Sequence, residues 1–281
     1  MMAALKPTVT RQITHVLFDM DGLLLGELIN ALNLRRSLGF AFHAYIMELM
    51  LSYLGFGHIL GMSLHDPDTE KFYTVVQEKI LADYGKTFDW SLKAKMMGKK
   101  ALEAGQIFIQ DTGLTGLLTP EEFIQRREVM LHAMFPESDL MTGAERLIRH
   151  LHAKNIPMAI ATSSHRRHFE LKSTKHGPLF SLMHHVVTGD DPGVVHGKPA
   201  PDIFLVAADR FEDPDLKVAN VLVFEDAPSG VAAAHAAGMP VVMVPDPNLA
   251  TSLCQEADQV LASLNDFDYA HWGLPSMSSE Q

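Results

Sequence analysis

The chain has 281 residues and a formal net charge of −11 at pH 7; 47% of its residues are hydrophobic and 20% are charged. This composition excludes a disordered chain, and the length suits one large domain or two smaller ones. The acidic charge argues against a nucleic-acid polymer as partner, because such surfaces need clustered Lys and Arg to displace counterions.

Two further features bear on the cellular setting. Cys254 is the single cysteine of the chain, which excludes an intramolecular disulfide and a cysteine-based metal site. Residues 1–18 lack the basic start, the apolar middle and the cleavage site of a secretory signal. Both features predict a cytoplasmic protein. The sequence carries no signal for an oligomeric state.

Near-continuous apolar runs, typical of strands covered on both faces, alternate with helical patterns. The runs are THVLF (14–18), IPMAIA (156–161), HHVVT (184–188), ANVLVF (219–224) and PVVMV (240–244). Amphipathic patterns at 143–154, 201–211 and 228–238 predict helices between the later strands, the last one ending at Gly238. This alternation predicts an α/β fold with a parallel sheet and right-handed crossovers.

The alternation is absent between about residues 26 and 140. Amphipathic patterns without a strand partner occur there at 71–85, 92–110 and 120–136. They predict an α-helical module that is inserted after the first strand.

Reactive side chains stand where the predicted strands end. Asp19 and Asp21 follow the first strand; Thr162, Ser163 and Ser164 follow the second; Lys198 precedes the helix after the third; Glu225 and Asp226 follow the fourth. In a parallel sheet all of these positions lie at one edge, where ligands bind. Crowded carboxylates repel one another unless a cation neutralises them, and oxygen ligands suit Mg²⁺. The pattern therefore predicts a magnesium site.

The pair Asp19 and Asp21 indicates the type of chemistry. Two such residues on an extended chain point the same way and lie about 7 Å apart, so one can attack while the other handles a proton. An aspartate can act as a covalent nucleophile towards phosphorus, and a phosphoryl group in transfer needs a metal, a lysine and a hydroxyl around it. Lys198 and Thr162 match the last two needs, and Gly22 lets the backbone approach.

Four segments together resemble the motifs of the haloacid dehalogenase superfamily, in order and with suitable spacing. They are DMDG (19–22), IATSS (160–164), HGKPAPDIF (196–204) and VFEDAPSG (223–230). The resemblance implies a Rossmann-like core with an inserted α-helical cap. It also implies that Asp19 forms an aspartyl-phosphate, that Asp21 acts as general acid and then base, and that Thr162 and Lys198 hold the phosphoryl group. The implied Mg²⁺ ligands are Asp19, the carbonyl of Asp21 and Asp226, with Glu225 assisting.

The resemblance also implies a substrate class, a small phosphomonoester. DTE (68–70) and MGKKALEA (97–104) extend the likeness within the superfamily and favour a nucleoside monophosphate with a carbon-linked base, such as pseudouridine 5'-phosphate. Ser163, Lys99 and Lys100 are the expected substrate contacts. A sugar-phosphate mutase of the same fold, which returns the phosphoryl group to a substrate hydroxyl, is the alternative enzyme.

The expected organisation has three parts. Residues 12–25 and 140–281 form the α/β core, residues 68–139 form the helical cap, and residues 26–67 form an unusual apolar insertion at the hinge between them. The stretch 38–64 within the insertion is almost long enough to cross a bilayer, but its central acid and scattered glycines argue against a membrane span. A third function is therefore a catalytically impaired isoform that uses the insertion for an interaction. We expect deletion of residues 26–67 to raise turnover; equal rates for both chains would contradict this.

Bland alternatives stand beside these assignments. Thr162 alone is also explained as a hydroxyl that satisfies backbone groups, and Glu225 with Asp226 as an N-terminal cap of the helix at 228–238. The segment His165–His168, with its two arginines, is expected to be a solvated basic turn, with contact to a phosphate as the alternative. The pair His184 and His185 is expected to be structural, because it lacks a Cys or His partner at zinc spacing.

Overall fold

The computed structural model describes residues 12–26, 70–96, 101–247 and 249–277. The described residues group into two compact units. The first is drawn from 1–24, 141–169 and 176–281, and the second from 25–140 and 170–175. The predictions made for Lys99, Lys100 and nearly all of the insertion lie outside the described residues. The assignment of core, insertion and cap stays a prediction.

The elements are numbered along the chain. The strands are β1 His15–Phe18, β2 Leu25–Gly26, β3 Asp139–Leu140, β4 Met158–Thr162, β5 His185–Thr188, β6 Val221–Glu225, β7 Val241–Met243 and β8 Gln259–Val260. The helices are α1 Glu70–Ala82, α2 Trp90–Met96, α3 Ala101–Asp111, α4 Pro120–Met134, α5 Ala144–Ala153, α6 Arg166–Lys172, α7 Gly177–Phe180, α8 Asp202–Asp209 and α9 Pro228–Ala236.

The first unit contains a six-stranded sheet in the order β5-β4-β1-β6-β7-β8. Every neighbouring pair in it is parallel. Strand β1 lies between β4 and β6, and its residues Leu17 and Phe18 are fully buried, as expected for a strand that is covered on both faces. The predicted α/β fold with a parallel sheet is confirmed. Two strands extend further than predicted, because Thr162 and Glu225 are their last residues and do not follow them.

In the helices of the first unit, the buried residues are those that the sequence pattern predicts. In α5 the buried residues include Leu147, Ile148 and Leu151, which recur at helical spacing. Helix α9 ends just before Gly238, which has a φ of +75°. A glycine with positive φ at this point is a common helix C-terminus, because other residues resist that conformation.

The second unit contains α1 to α4, the short antiparallel pair β2 and β3, and residues 170–175. Its core includes the stacked rings of Phe108 and Phe123, whose centroids are 4.0 Å apart. Helix α4 begins with a capping box, in which the hydroxyl of Thr119 accepts from the Glu122 N–H and the Glu122 carboxylate accepts from the Thr119 N–H. Among the described residues, no helix is both long and apolar enough to cross a membrane.

Candidate active site

The carboxyl ends of three neighbouring strands, β4, β1 and β6, bring Asp19 close to Thr162 and Glu225. Register places Phe18 of β1 next to Ile160 of β4 and next to Phe224 of β6. The N–H of Asp19 continues the ladder by donating to the carbonyl of Phe224 at 3.0 Å. Asp19 therefore leaves the sheet between the ends of β4 and β6, where Thr162 and Glu225 stand.

Lys198 lies at the centre of this site. Its ammonium group donates to Oδ1 of Asp19 and to Oε1 of Glu225, each at 2.5 Å, and to the carbonyl of Ala161 at 3.3 Å. The side chains of Lys198 and Asp19 are each 8% exposed, and that of Glu225 is 1% exposed. Lys198 is therefore a buried cation that two carboxylates hold in place.

The acidic groups outnumber the lysine, and their pKa values reflect this. The pKa of Asp19 is raised to about 7, chiefly by burial; Lys198 opposes the increase, and the charges of Glu225 and Asp21 add to it. Burial alone would lower the pKa of Lys198, but the attraction of Asp19 and Glu225 outweighs burial and holds it above its usual range. The lysine therefore stays charged, and full ionisation of Asp19 near neutral pH calls for further positive charge.

The donor set around Asp19 fits a hard divalent cation. Asp19, Glu225 and Asp226 each offer a carboxylate oxygen, and these oxygens lie within 4.8 Å of one another. Among the described residues, no other cluster of His, Cys, Asp or Glu meets this criterion. Carboxylate oxygens without nitrogen or sulfur ligands suit Mg²⁺. These residues therefore fit Mg²⁺, the cofactor that the sequence predicts.

Glu225 is fixed from both sides. Its Oε2 accepts the N–H groups of Asp226 at 3.1 Å and Ala227 at 3.3 Å, while Oε1 takes the bond from Lys198. A Cβ on Gly230 would lie 1.9 Å from Cδ of Glu225, so helix α9 packs directly on this carboxylate. The residue at the N-cap position of α9 is Ala227, which makes no side-chain cap. The arrangement suits the assisting role expected for Glu225.

Asp21 has a different environment from Asp19. Its Oδ2 accepts the hydroxyl of Ser164 at 2.7 Å and that of Thr162 at 3.4 Å. The Thr162 oxygen also accepts the N–H of Ser164 at 3.1 Å, so it satisfies backbone as well. The side chain of Asp21 is not one of the three metal-suited carboxylates. Its predicted metal contact runs through the backbone carbonyl and stays a prediction.

The remaining candidates are placed as follows. Ser163 is exposed beside the site. His165 directly precedes α6, and its side chain is 70% exposed. Its Nδ1 lies 3.8 Å from a carboxylate oxygen of Asp190. His184 and His185 share a contact of 2.8 Å between their Nδ1 atoms, and Nε2 of His185 contacts the carbonyl of Ala207. The sequence reasoning assigned no role to Ser164, although it stands within the motif IATSS.

Comparison with known proteins decides the family. The model of the haloacid dehalogenase-like hydrolases matches residues 13–238, which is most of the chain. The chain belongs to this family. The resemblance drawn from the four motifs is therefore confirmed, and Asp19, Thr162, Lys198 and Asp226 all lie within the matched range.

Two curated relatives are similar to this hydrolase over nearly its whole length. The mitochondrial (DL)-glycerol-3-phosphatase 1 of Arabidopsis thaliana is 54% identical, with 98% of this chain and 80% of that protein covered. A probable pseudouridine-5'-phosphatase of Drosophila melanogaster is 41% identical, with 96% and 98% covered. These relatives agree with the prediction of a phosphoric monoester hydrolase. Because one of them is named as mitochondrial, the cytoplasmic location stays a prediction.

The fold of this hydrolase also occurs in solved structures. A haloacid dehalogenase family hydrolase from Deinococcus radiodurans R1, with bound phosphate and sodium, aligns with a TM-score of 0.63. The alignment covers 91% of this chain and 93% of that one at 23% identity. Similarity at this level of identity supports the fold, and the chemistry must come from the residues of the site.

Proposed function

We propose that the chain is a Mg²⁺-dependent phosphatase that hydrolyses a small phosphomonoester through an aspartyl-phosphate on Asp19. The observation that carries the proposal is the difference between the two aspartates of the motif. Asp19 is held by a cation within an acidic cluster, whereas Asp21 is held by hydroxyl groups. The first arrangement suits a nucleophile and the second suits a group that gives and takes a proton.

In the first step a carboxylate oxygen of Asp19 bonds to phosphorus while the bond from phosphorus to the substrate oxygen breaks. Asp21 gives its proton to the departing oxygen, so an alcohol leaves. Lys198 keeps positive charge against Asp19 and offers it to the phosphoryl oxygens, and Thr162 contributes a hydroxyl from the end of the neighbouring strand β4. When bound by Asp19, Asp226 and the Asp21 carbonyl, with Glu225 assisting, Mg²⁺ supplies the charge that the lysine alone does not.

In the second step water attacks the phosphorus of the aspartyl-phosphate. Asp21, now ionised, takes a proton from that water, the bond from phosphorus to the Asp19 oxygen breaks, and inorganic phosphate leaves. Both residues return to their starting forms. The same carboxyl group thus acts as acid and then as base, which requires that it be held near the reacting atoms throughout.

Glycerol 3-phosphate is the first candidate substrate, because the relative with 54% identity is named as a glycerol-3-phosphatase. Pseudouridine 5'-phosphate is the second candidate. It is supported by the motif likeness described above and by the relative with 41% identity. Both are alkyl phosphomonoesters, so the chemistry proposed for Asp19 and Asp21 is the same for each.

The test measures release of inorganic phosphate from both esters, with Mg²⁺ and with a chelator. We expect Mg²⁺-dependent release, and we expect Asp19→Asn to lower it by at least about 10³-fold, because the amide cannot attack phosphorus. Asp111→Asn, an exposed residue of α3, is the matched control and is expected to keep full activity. Phosphate release that survives Asp19→Asn would overturn the mechanism. Consumption of a sugar phosphate without free phosphate would favour a mutase.

A further inference from the structure

We infer that Ser164 is the residue that positions Asp21 for proton transfer. This inference rests on the proposed function and extends it, because it assigns a task to a side chain that the motif reasoning left without one. The hydroxyl of Ser164 donates to Oδ2 of Asp21 at 2.7 Å, a distance typical of a strong bond to a carboxylate. The hydroxyl of Thr162 lies farther from the same oxygen, at 3.4 Å.

Ser164 is itself fixed by its backbone. Its N–H donates to Oγ1 of Thr162 at 3.1 Å, and its carbonyl accepts the N–H of Gly189 at 3.0 Å. Thr162 is the last residue of β4, and Gly189 directly follows β5. The serine is therefore tied to two neighbouring strands of the sheet. A hydroxyl on such a rigid support can hold a partner side chain in one orientation.

The backbone after β5 approaches this segment as closely as a glycine allows. A Cβ on Gly189 would lie 2.3 Å from the carbonyl oxygen of Ser163, so any side chain there would push the two segments apart. The hydrogen bond from the Gly189 N–H to the Ser164 carbonyl therefore depends on a glycine at position 189. The backbone position from which the Ser164 hydroxyl reaches Asp21 is therefore set by the sheet.

The bond to Ser164 gives the two carboxyl oxygens of Asp21 different tasks. A hydroxyl that donates to Oδ2 is compatible with a proton on Oδ1, and it opposes rotation of the carboxyl group. Oδ1 then delivers its proton to the departing oxygen in the first step and collects one from water in the second. Without the serine the carboxyl group rotates more freely. In a smaller fraction of enzyme–substrate complexes the Asp21 proton then faces the departing oxygen.

The choice of leaving group separates this role from a merely structural one. An alkoxide is a poor leaving group and needs the proton of Asp21, whereas nitrophenolate leaves readily without one. The value of kcat/KM reports the steps up to departure of the leaving group. Loss of a positioning bond to the acid therefore affects an alkyl phosphate far more than an aryl phosphate, while a distorted site affects both.

The experiment compares kcat/KM for glycerol 3-phosphate and p-nitrophenyl phosphate in Ser164→Ala, Ser164→Thr and the parent chain. We expect Ser164→Ala to lower the alkyl value roughly tenfold and the aryl value less than about twofold, as for loss of one hydrogen bond to an acid that becomes ionised as it gives up its proton. Ser164→Thr keeps the hydroxyl and is expected to restore the alkyl value. Ser181→Ala removes an exposed hydroxyl elsewhere in the first unit and is the control.

Equal losses on the two esters, or no loss on either, would overturn the inference. Ser164→Cys keeps the packing with a weaker donor and replaces the alanine variant if that variant does not fold, with the same outcomes expected. Asp21→Asn, measured in parallel, tests the proposed function separately. If it loses both activities equally, Asp21 is not the acid and the proposed mechanism fails, whatever Ser164→Ala shows.

Discussion

Asp226 occupies the space in which a side chain on Gly22 would stand. A Cβ there would lie 2.2 Å from Oδ2 and 2.9 Å from Cγ of Asp226, and Gly22 has a φ of +82°. The glycine of the first motif thus serves two purposes. It allows the left-handed turn after Asp21, and it leaves room for a predicted Mg²⁺ ligand from another strand.

Gly22→Ala should therefore disable the site more than backbone strain alone explains. The new methyl group displaces the Asp226 carboxylate, so we expect activity to fall by about 10²-fold or more and the Mg²⁺ concentration at half-maximal activity to rise. Titration of phosphate release with Mg²⁺ measures both. Gly116→Ala is the matched control, because Gly116 has the same φ of +82° with no neighbouring atom within 4 Å. If both variants lose activity alike, the clash with Asp226 is not the cause.

Gly230→Ala should destabilise the fold, against the usual trend. Alanine inside a helix is ordinarily about 0.5–1 kcal/mol better than glycine. Here the methyl group would meet the carboxyl carbon of Glu225 at 1.9 Å, and that side chain is 1% exposed and bonded to Lys198. We expect a loss of roughly 1–3 kcal/mol in the free energy of unfolding, measured by urea denaturation. Gly177→Ala, with nothing within 4 Å, provides the comparison, and an equal effect in both would refute the argument.

Much of this site follows from the sequence because parallel strands end at one edge. That rule was enough to bring Asp19, Lys198 and the pair at 225 and 226 together. It could not say which of the three consecutive hydroxyls at 162–164 lies closest to Asp21, because that depends on the path of the backbone and on its bond to Gly189.

The same distinction applies to the fold. Apolar runs in the sequence predict some of its elements, and the others depend on tertiary packing. Long apolar runs predicted the central strands, whereas β2 and β3 are two residues each and carry no periodicity that could be recognised. The grouping of residues 170–175 with the helical unit is likewise set by tertiary packing. Lys172, fully buried with its ammonium 4.3 Å from the centre of the Phe135 ring, gives no local signal of burial in a sequence.

Lys198→Met should cost both stability and activity. Methionine fills a similar volume but leaves the buried carboxylates of Asp19 and Glu225 facing each other without a cation. Breaking a buried ion pair in this way costs about 3–5 kcal/mol, and we expect the free energy of unfolding in the absence of Mg²⁺ to fall by that order. Adding Glu225→Gln removes one of the opposed charges and should recover part of the loss. A double variant no more stable than Lys198→Met would contradict this electrostatic explanation.

His185→Gln should make the free energy of unfolding fall less steeply as the pH is lowered below neutrality. The pKa of His185 is lowered to about 4, chiefly by burial; the charges of His184 and Arg210 contribute to the lowering, and the bond to the Ala207 carbonyl opposes it. The unfolded chain takes up a proton near its ordinary pKa of about 6.5 while the folded chain does not, so acid favours unfolding between these two values.

Glutamine can still donate to the carbonyl of Ala207 but does not titrate in this range. After allowance for solvent screening of this partly buried ring, we expect the loss of stability between about pH 7 and pH 5 to be smaller by about 1 kcal/mol in the variant. Urea denaturation at the two pH values measures the difference, and His132→Gln, at an exposed position of α4, is the control for replacing a histidine that is not buried. Identical pH dependence in His185→Gln and the parent chain would show that folding does not lower the pKa of His185.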